Sequence, residues 1–198
     1  LLFTMTRQYD ELFHYSAQVT LADNVLSEER EAVEDFLSSD ARIVSYVPAT
    51  ASSATVATSG YSTTAYIEVM ASDEIGKVVD LFDYKSGEPI TMGDDGVYIN
   101  QKLSELLGVK IGDTFFLDGE GRGDVTVAGI YEHYTGHFIY MTPTYYENAL
   151  HAGSEPNAYL MNFTSDDTDT CNAIFEKLLD LSGVATTSRM RDTQDTYM

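Results

Sequence analysis

Cysteine is nearly absent from this chain: Cys171 is the only one. A single thiol excludes an internal disulfide and any zinc cluster built from cysteines. It stands at helical spacing with Ile174, Phe175 and Leu178, which suits a small buried apolar side chain better than a reactive thiol. Basic residues are also scarce, 11 against 32 acidic ones, for a formal net charge of -21. That field repels nucleic-acid phosphates and anionic membrane surfaces, so cationic partners are the ones it attracts.

Long apolar runs are missing too. No window approaches the ~20 residues that cross a bilayer, and no complete secretion signal is legible. The first residues, Leu1-Leu2-Phe3-Thr4-Met5, nevertheless read as the last turn of something hydrophobic, and Leu2, Met5, Tyr9, Leu12 and Phe13 continue at helical spacing. A chain trimmed just outside a membrane helix begins this way, and so does an ordinary amphipathic helix.

Catalytic signatures are absent. There is no Gly-x-Ser-x-Gly elbow and no phosphate loop or dinucleotide fingerprint, because the glycines fall at strand turns. The 32 carboxylates offer no pair that sequence alone can single out for acid/base work.

What is present is a core. With 43% of 198 residues hydrophobic, the chain can fold without metal or disulfide. Residues 14–21 alternate as a strand, Ser27 offers an N-cap with Glu28 and Glu29 behind it, and Val33, Phe36 and Leu37 form a helical stripe. Residues 41–47 return as a strand, and 48–64 keep strand composition despite their Ala, Ser and Thr content. Further strands are expected over 64–70, 97–99, 114–117, 124–133, 138–141, 157–163 and 184–190. Helices are expected from Asn100 to Gly108, from Pro143 to a stop at Gly153, and over 169–181, where Ile174, Phe175, Leu178 and Leu179 point inward.

The order predicts an α+β fold. Each chain end gives a strand-helix-strand unit, over 12–59 and 156–195, and the two pair into one lobe with a mostly β lobe, 60–155, inserted between them.

The stretch GVYINQKLSELLGVKIGDTFFL, followed by VTVAGIYE and FIYMTPTYY, resembles the extracytoplasmic domain of FtsX-like, MacB-type ABC transporter permeases. The matching positions are Val97, Leu103, Leu107-Gly108, Ile111-Gly112-Asp113, Val125, Val127, Gly129 and Ile130. The resemblance covers roughly residues 95 to 145 and implies a non-catalytic domain, 1–198, on the outer face of a bacterial cell membrane. Its implied partners are a cytoplasmic ABC ATPase, a second permease copy or subunit, and an exported cationic peptide, lipoprotein or cell-wall protein. No cofactor is implied. Gly108 and Gly112 read as shape, a helix stop and a tight turn.

Two clusters compete for chemistry. His133 and His137 flank what reads as a three-residue hairpin loop with Gly136 at a positive φ; with Glu132 or His151 they point to the alternative of a surface metal-dependent hydrolase, although two histidines fall short of the three or four ligands zinc needs. Tyr131, Tyr134, Tyr140, Tyr145 and Tyr146 offer flat apolar area with polar tips, which suits partner binding, while core packing is the commoner use of such residues. Asp118 to Asp124 mimics a calcium loop, but Arg122 stands where a ligand oxygen belongs. A surface adhesion module is a further alternative.

Overall fold

The computed structural model describes residues 12–133 and 136–192. The chain divides into two compact units, one from residues 12–49, 77–79 and 156–192, the other from 50–76 and 80–155.

The first unit is built by both chain ends. Its strands are β1 (Ala17–Leu21), the first half of β2 (Ile43–Ala57), β8 (Ala158–Phe163) and β9 (Val184–Arg189). They lie in the order β2-β8-β1-β9, with every pairing antiparallel. Helices α1 (Ser27–Ser39) and α4 (Thr168–Leu179) follow the first and third of these strands. This is a split βαβ arrangement of the ferredoxin-like kind. Val33 and Leu37 of α1 and Cys171, Ile174 and Leu178 of α4 pack on Ala17, Val19, Tyr159 and Met161. The Tyr159 hydroxyl donates to Glu34 at 2.6 Å and ties β8 to α1.

Two local expectations change. Leu26, not Ser27, holds the N-cap position of α1, and the Glu29 carboxylate accepts the Leu26 N–H at 2.9 Å. The acidic side chain of the first turn thus satisfies the N–H of the capping residue itself, which is the glutamate half of a capping box. In α4, Leu179 is 52% exposed while Leu178 is fully buried; the apolar stripe is narrower than four inward residues.

The second unit contains the rest of β2, then β3 (Ser62–Val69), β4 (Val97–Asn100), β5 (Thr114–Asp118), β6 (Arg122–Tyr131) and β7 (Phe138–Met141). The pairings run β2-β3-β7-β4-β6-β5 and return to β2, so six strands close a ring. Closure leaves no open sheet edge here. Helices α2 (Gln101–Leu107) and α3 (Pro143–Leu150) send Leu103, Leu107, Tyr146 and Leu150 into the same core as Val56, Ile67, Ile99, Leu117, Val127 and Ile139.

Gly108 ends α2 at φ 68° and Gly112 turns the chain at φ 93° into β5, backbone angles that glycine reaches at little cost. Neither faces an atom that a side chain would meet within 4 Å, so the backbone angle is the reason for both. Helix α3 does not run on to Gly153. It closes at His151, which takes the left-handed conformation at φ 53° with its N–H on the Glu147 carbonyl. The Asp118–Asp124 stretch is a β5–β6 hairpin in which Asp118 pairs with Arg122.

Candidate functional site

The residues marked by the sequence gather where β3, β7, β4 and β6 run side by side. Ala65, Ile67 and Val69, Ile99, and Ile139 and Met141 face the barrel core. Alternation then turns Tyr66 and Glu68, Tyr98 and Asn100, and Phe138 and Tyr140 to the other face.

The register places these side chains in two rows. Glu68, Tyr140 and Tyr98 are neighbours across the strands, and so are Tyr66 and Phe138. Asn100 lies opposite Tyr131.

The expected hairpin between β6 and β7 does not exist. Strand β4 lies between them, parallel to β6 and antiparallel to β7. His133 and Gly136, the described residues on either side of positions 134–135, both meet Asn100 at the end of β4. That side chain is fully buried, and its Nδ2 donates to the carbonyls of His133 at 3.2 Å and Gly136 at 2.9 Å. Asn100 occupies the N-cap position of α2 but makes no side-chain cap bond; its Nδ2 serves the loop, and its Oδ1 is buried without a hydrogen-bond partner. Gly136 has φ 66°, and a Cβ there would come within 2.7 Å of the Phe138 ring. A positive-φ glycine serves a crossover as well as a hairpin, which is why turn chemistry could not distinguish them.

The two histidines differ in burial. His133 is fully buried and lies between two aromatic rings, Tyr131 at 6.3 Å and Phe138 at 6.2 Å. Burial pushes its imidazole down to about 4. His137 is half-buried and pushed down as well, by burial first and the Lys102 charge last, against a hydrogen bond to the Gly136 backbone that acts upward. Glu132 and His151 are exposed. Among the described residues, no three histidine, cysteine or acidic side chains come together as a metal would need.

Glu68 was not visible as special in the sequence. Its Oε2 is buried with no hydrogen-bond partner, and burial pushes the carboxyl up to about 7. Its charge in turn adds to the burial that raises the Tyr131 hydroxyl, which donates to the Phe138 carbonyl at 2.7 Å. The segment before β4 pairs with the end of β6: the Tyr84 N–H bonds the Ile130 carbonyl at 3.2 Å and the Glu132 N–H the Phe82 carbonyl at 2.9 Å.

Of the five tyrosines singled out, Tyr131, Tyr140 and Tyr146 are at most 2% exposed. Tyr145 is half-buried, and its hydroxyl accepts the Thr126 N–H at 2.9 Å. Tyr134 lies outside the described residues. The exposed aromatic pair is a different one: Tyr66, 43% exposed, stacks on Phe138 with ring centroids 5.4 Å apart. Strand alternation over 65–69 carried the signal for Tyr66, since its neighbours Ala65 and Ile67 are the apolar set.

No protein-family model matches the chain, and no curated protein matches it. Solved structures do. The periplasmic region of MacB from Actinobacillus actinomycetemcomitans superimposes with a TM-score of 0.54 at 16% identity, over 98% of this chain and 97% of that one. The chain has the MacB-type extracytoplasmic fold. A second structure agrees: the extracellular domain of the noncanonic ABC-type transporter YknZ from Gram-positive bacteria, with a TM-score of 0.51 at 13% identity, over 88% of this chain and 98% of that one. In the MacB-type fold of this chain, the motif from Val97 to Tyr131 supplies β4, α2, β5 and β6 of the barrel unit. No helix among the described residues is long and apolar enough to cross a membrane.

Proposed function

We propose that this chain is the extracytoplasmic domain of an ABC transporter permease in a bacterial cell membrane. In this reading it performs no catalysis. It binds an exported substrate or a partner protein and exchanges movement with membrane helices driven by a cytoplasmic ATPase. The observation that carries the reading is the end-to-end fold match, 98% of this chain against 97% of a transporter's periplasmic region. A match confined to one unit could reflect a widespread subdomain; this one includes residues of both.

The contact surface in this reading is the exposed Tyr66–Phe138 stack with His137 beside it in sequence. Tyr140, in the neighbouring row of the same face, packs on Tyr131 with ring centroids 5.7 Å apart. With a net charge of -21, the partner class favoured is a cationic peptide.

Two measurements test this. The full-length protein, purified from membranes together with the ATPase encoded beside it, is expected to co-purify with that ATPase; failure to associate removes the transporter reading. Calorimetric titration of the 198-residue chain with a Lys/Arg-rich peptide is expected to weaken between about 50 and about 500 mM salt. Binding that ignores salt, or no binding, removes the cationic-peptide assignment and leaves the transporter reading standing.

A further inference from the structure

The terminal unit holds a cavity of about 340 Å3 at one end of its sheet. It lies where the chain enters β1 and leaves β9: the Met190 N–H donates to the Ser16 carbonyl at 3.0 Å beside it. Phe13, Phe163, Cys171 and Met190, each less than 9% exposed, line it together with the polar residues Ser16 and Asn162. Its rim is charged and carries both signs, with Arg189, Arg191 and Asp166. Arg189 is held in place, its Nη2 on the Asp166 carbonyl at 2.9 Å and its Nη1 on Thr168 Oγ1 at 3.2 Å.

Size and charge narrow the ligand. Small-molecule sites run from ~300 to ~1,000 Å3, so this cavity takes a small polar group and leaves no room for a pair of acyl chains. Guanidinium groups pair with phosphate oxygens through parallel hydrogen bonds, and two of the chain's 11 basic residues stand together here. A plain anion is opposed by the net charge of -21 and by Asp166 on the same rim. A ligand that carries its own ammonium beside its phosphate meets neither objection, since the carboxylate then becomes a partner.

We propose that this cavity binds the headgroup of a zwitterionic phospholipid of the phosphatidylethanolamine type. Arg189 and Arg191 take the phosphodiester, Asp166 takes the ammonium, and the acyl chains stay outside. The inference rests on the permease reading above, in which the domain stands beside a bilayer whose headgroups are the phosphodiesters within its reach.

The test is an NMR titration of the 198-residue chain with dihexanoyl phosphatidylethanolamine below its micelle concentration. Parallel titrations use dihexanoyl phosphatidylglycerol and inorganic phosphate. Saturable shifts at the Ser16, Cys171 and Arg189 amides with the ethanolamine lipid are expected. Arg191→Glu and, separately, Asp166→Asn each weaken binding by about tenfold or more, the loss of one charge-assisted contact. Both positions are exposed, so the two variants keep the native amide pattern. No shifts at these amides overturn the site. Equal binding of inorganic phosphate makes it a free-phosphate site and overturns the lipid assignment, and equal binding of the glycerol lipid overturns the zwitterion argument. Headgroup binding in a protein whose full-length form ignores the ATPase would remove the permease reading and keep the site; ATPase association without headgroup binding removes the site alone.

Discussion

The Asn100 side chain donates from one nitrogen to two carbonyls of the loop that joins β6 to β7, those of His133 and Gly136. A residue at the end of β4 thereby fixes a connection 33 to 36 positions further along the chain.

Asn100→Ala leaves both loop carbonyls without that donor. Such a loss costs about 1–3 kcal/mol. Part is offset, because Asn100 Oδ1 is itself buried without a partner and its removal relieves a desolvated group. A net loss of about 1–2 kcal/mol is expected in urea denaturation, with faster amide exchange confined to 133 and 136–138. An unchanged midpoint would show that the loop holds itself.

Glu68 makes stability depend on pH in the unusual direction. Its folded-state carboxyl sits at about 7, above the ordinary 4.5, because of burial. The folded chain therefore holds the proton more tightly than the unfolded one. This contribution is complete below pH 4.5 and is lost as pH rises through 7. Glu68→Gln, which cannot ionise, should gain on the order of 1–3 kcal/mol relative to the parent between pH 5 and 8. Parallel thermal melts across that window check it; melting curves that keep a constant separation refute it.

His133 acts at the acid end with the opposite sign. Its imidazole is pushed down to about 4 from an ordinary 6.5 by burial. The neutral ring is the one the fold accepts, so its contribution is present above 6.5 and is lost as pH falls toward 4. Side-chain NMR should show the His133 ring neutral at pH 6. In His133→Phe the ring still packs against Tyr131 and Phe138, and the decline between pH 6.5 and 4 should flatten.

Neighbouring leucines of α4 should differ sharply. Leu178 is fully buried and Leu179 is 52% exposed. Leu178→Ala should cost about 2–5 kcal/mol, and Leu179→Ala within about 0.5 kcal/mol. Equal costs would mean that the packed stripe of the helix is wider than the structure shows.

Short-range patterns told the truth about individual elements. Leu103 and Leu107 ahead of Gly108 marked α2, and Cys171, Ile174 and Leu178 marked the buried side of α4. The hydroxyl-rich run after Pro48 was legible as strand. Relations between distant residues were not legible. The glycine at 136 suggested a hairpin, and nothing nearby in sequence said that β4 would enter between the strands it joins. Tyr131 and Tyr140 looked like surface for the same reason. Their amphipathic rings fit a rim or a core equally well, and only the tertiary packing that buries both decided the matter.

By itself the sequence determined the α+β class, most helix and strand positions and the dominance of negative charge, because these follow from periodicity, local backbone preference and composition. Tertiary structure alone decided that six strands close on themselves, that Glu68 lies in a place where its proton is hard to lose, and that two arginines meet an aspartate at one end of the terminal sheet. The physical reason is common to all three: burial and strand pairing join residues far apart in the chain, and no local pattern encodes which surface will come to lie over which.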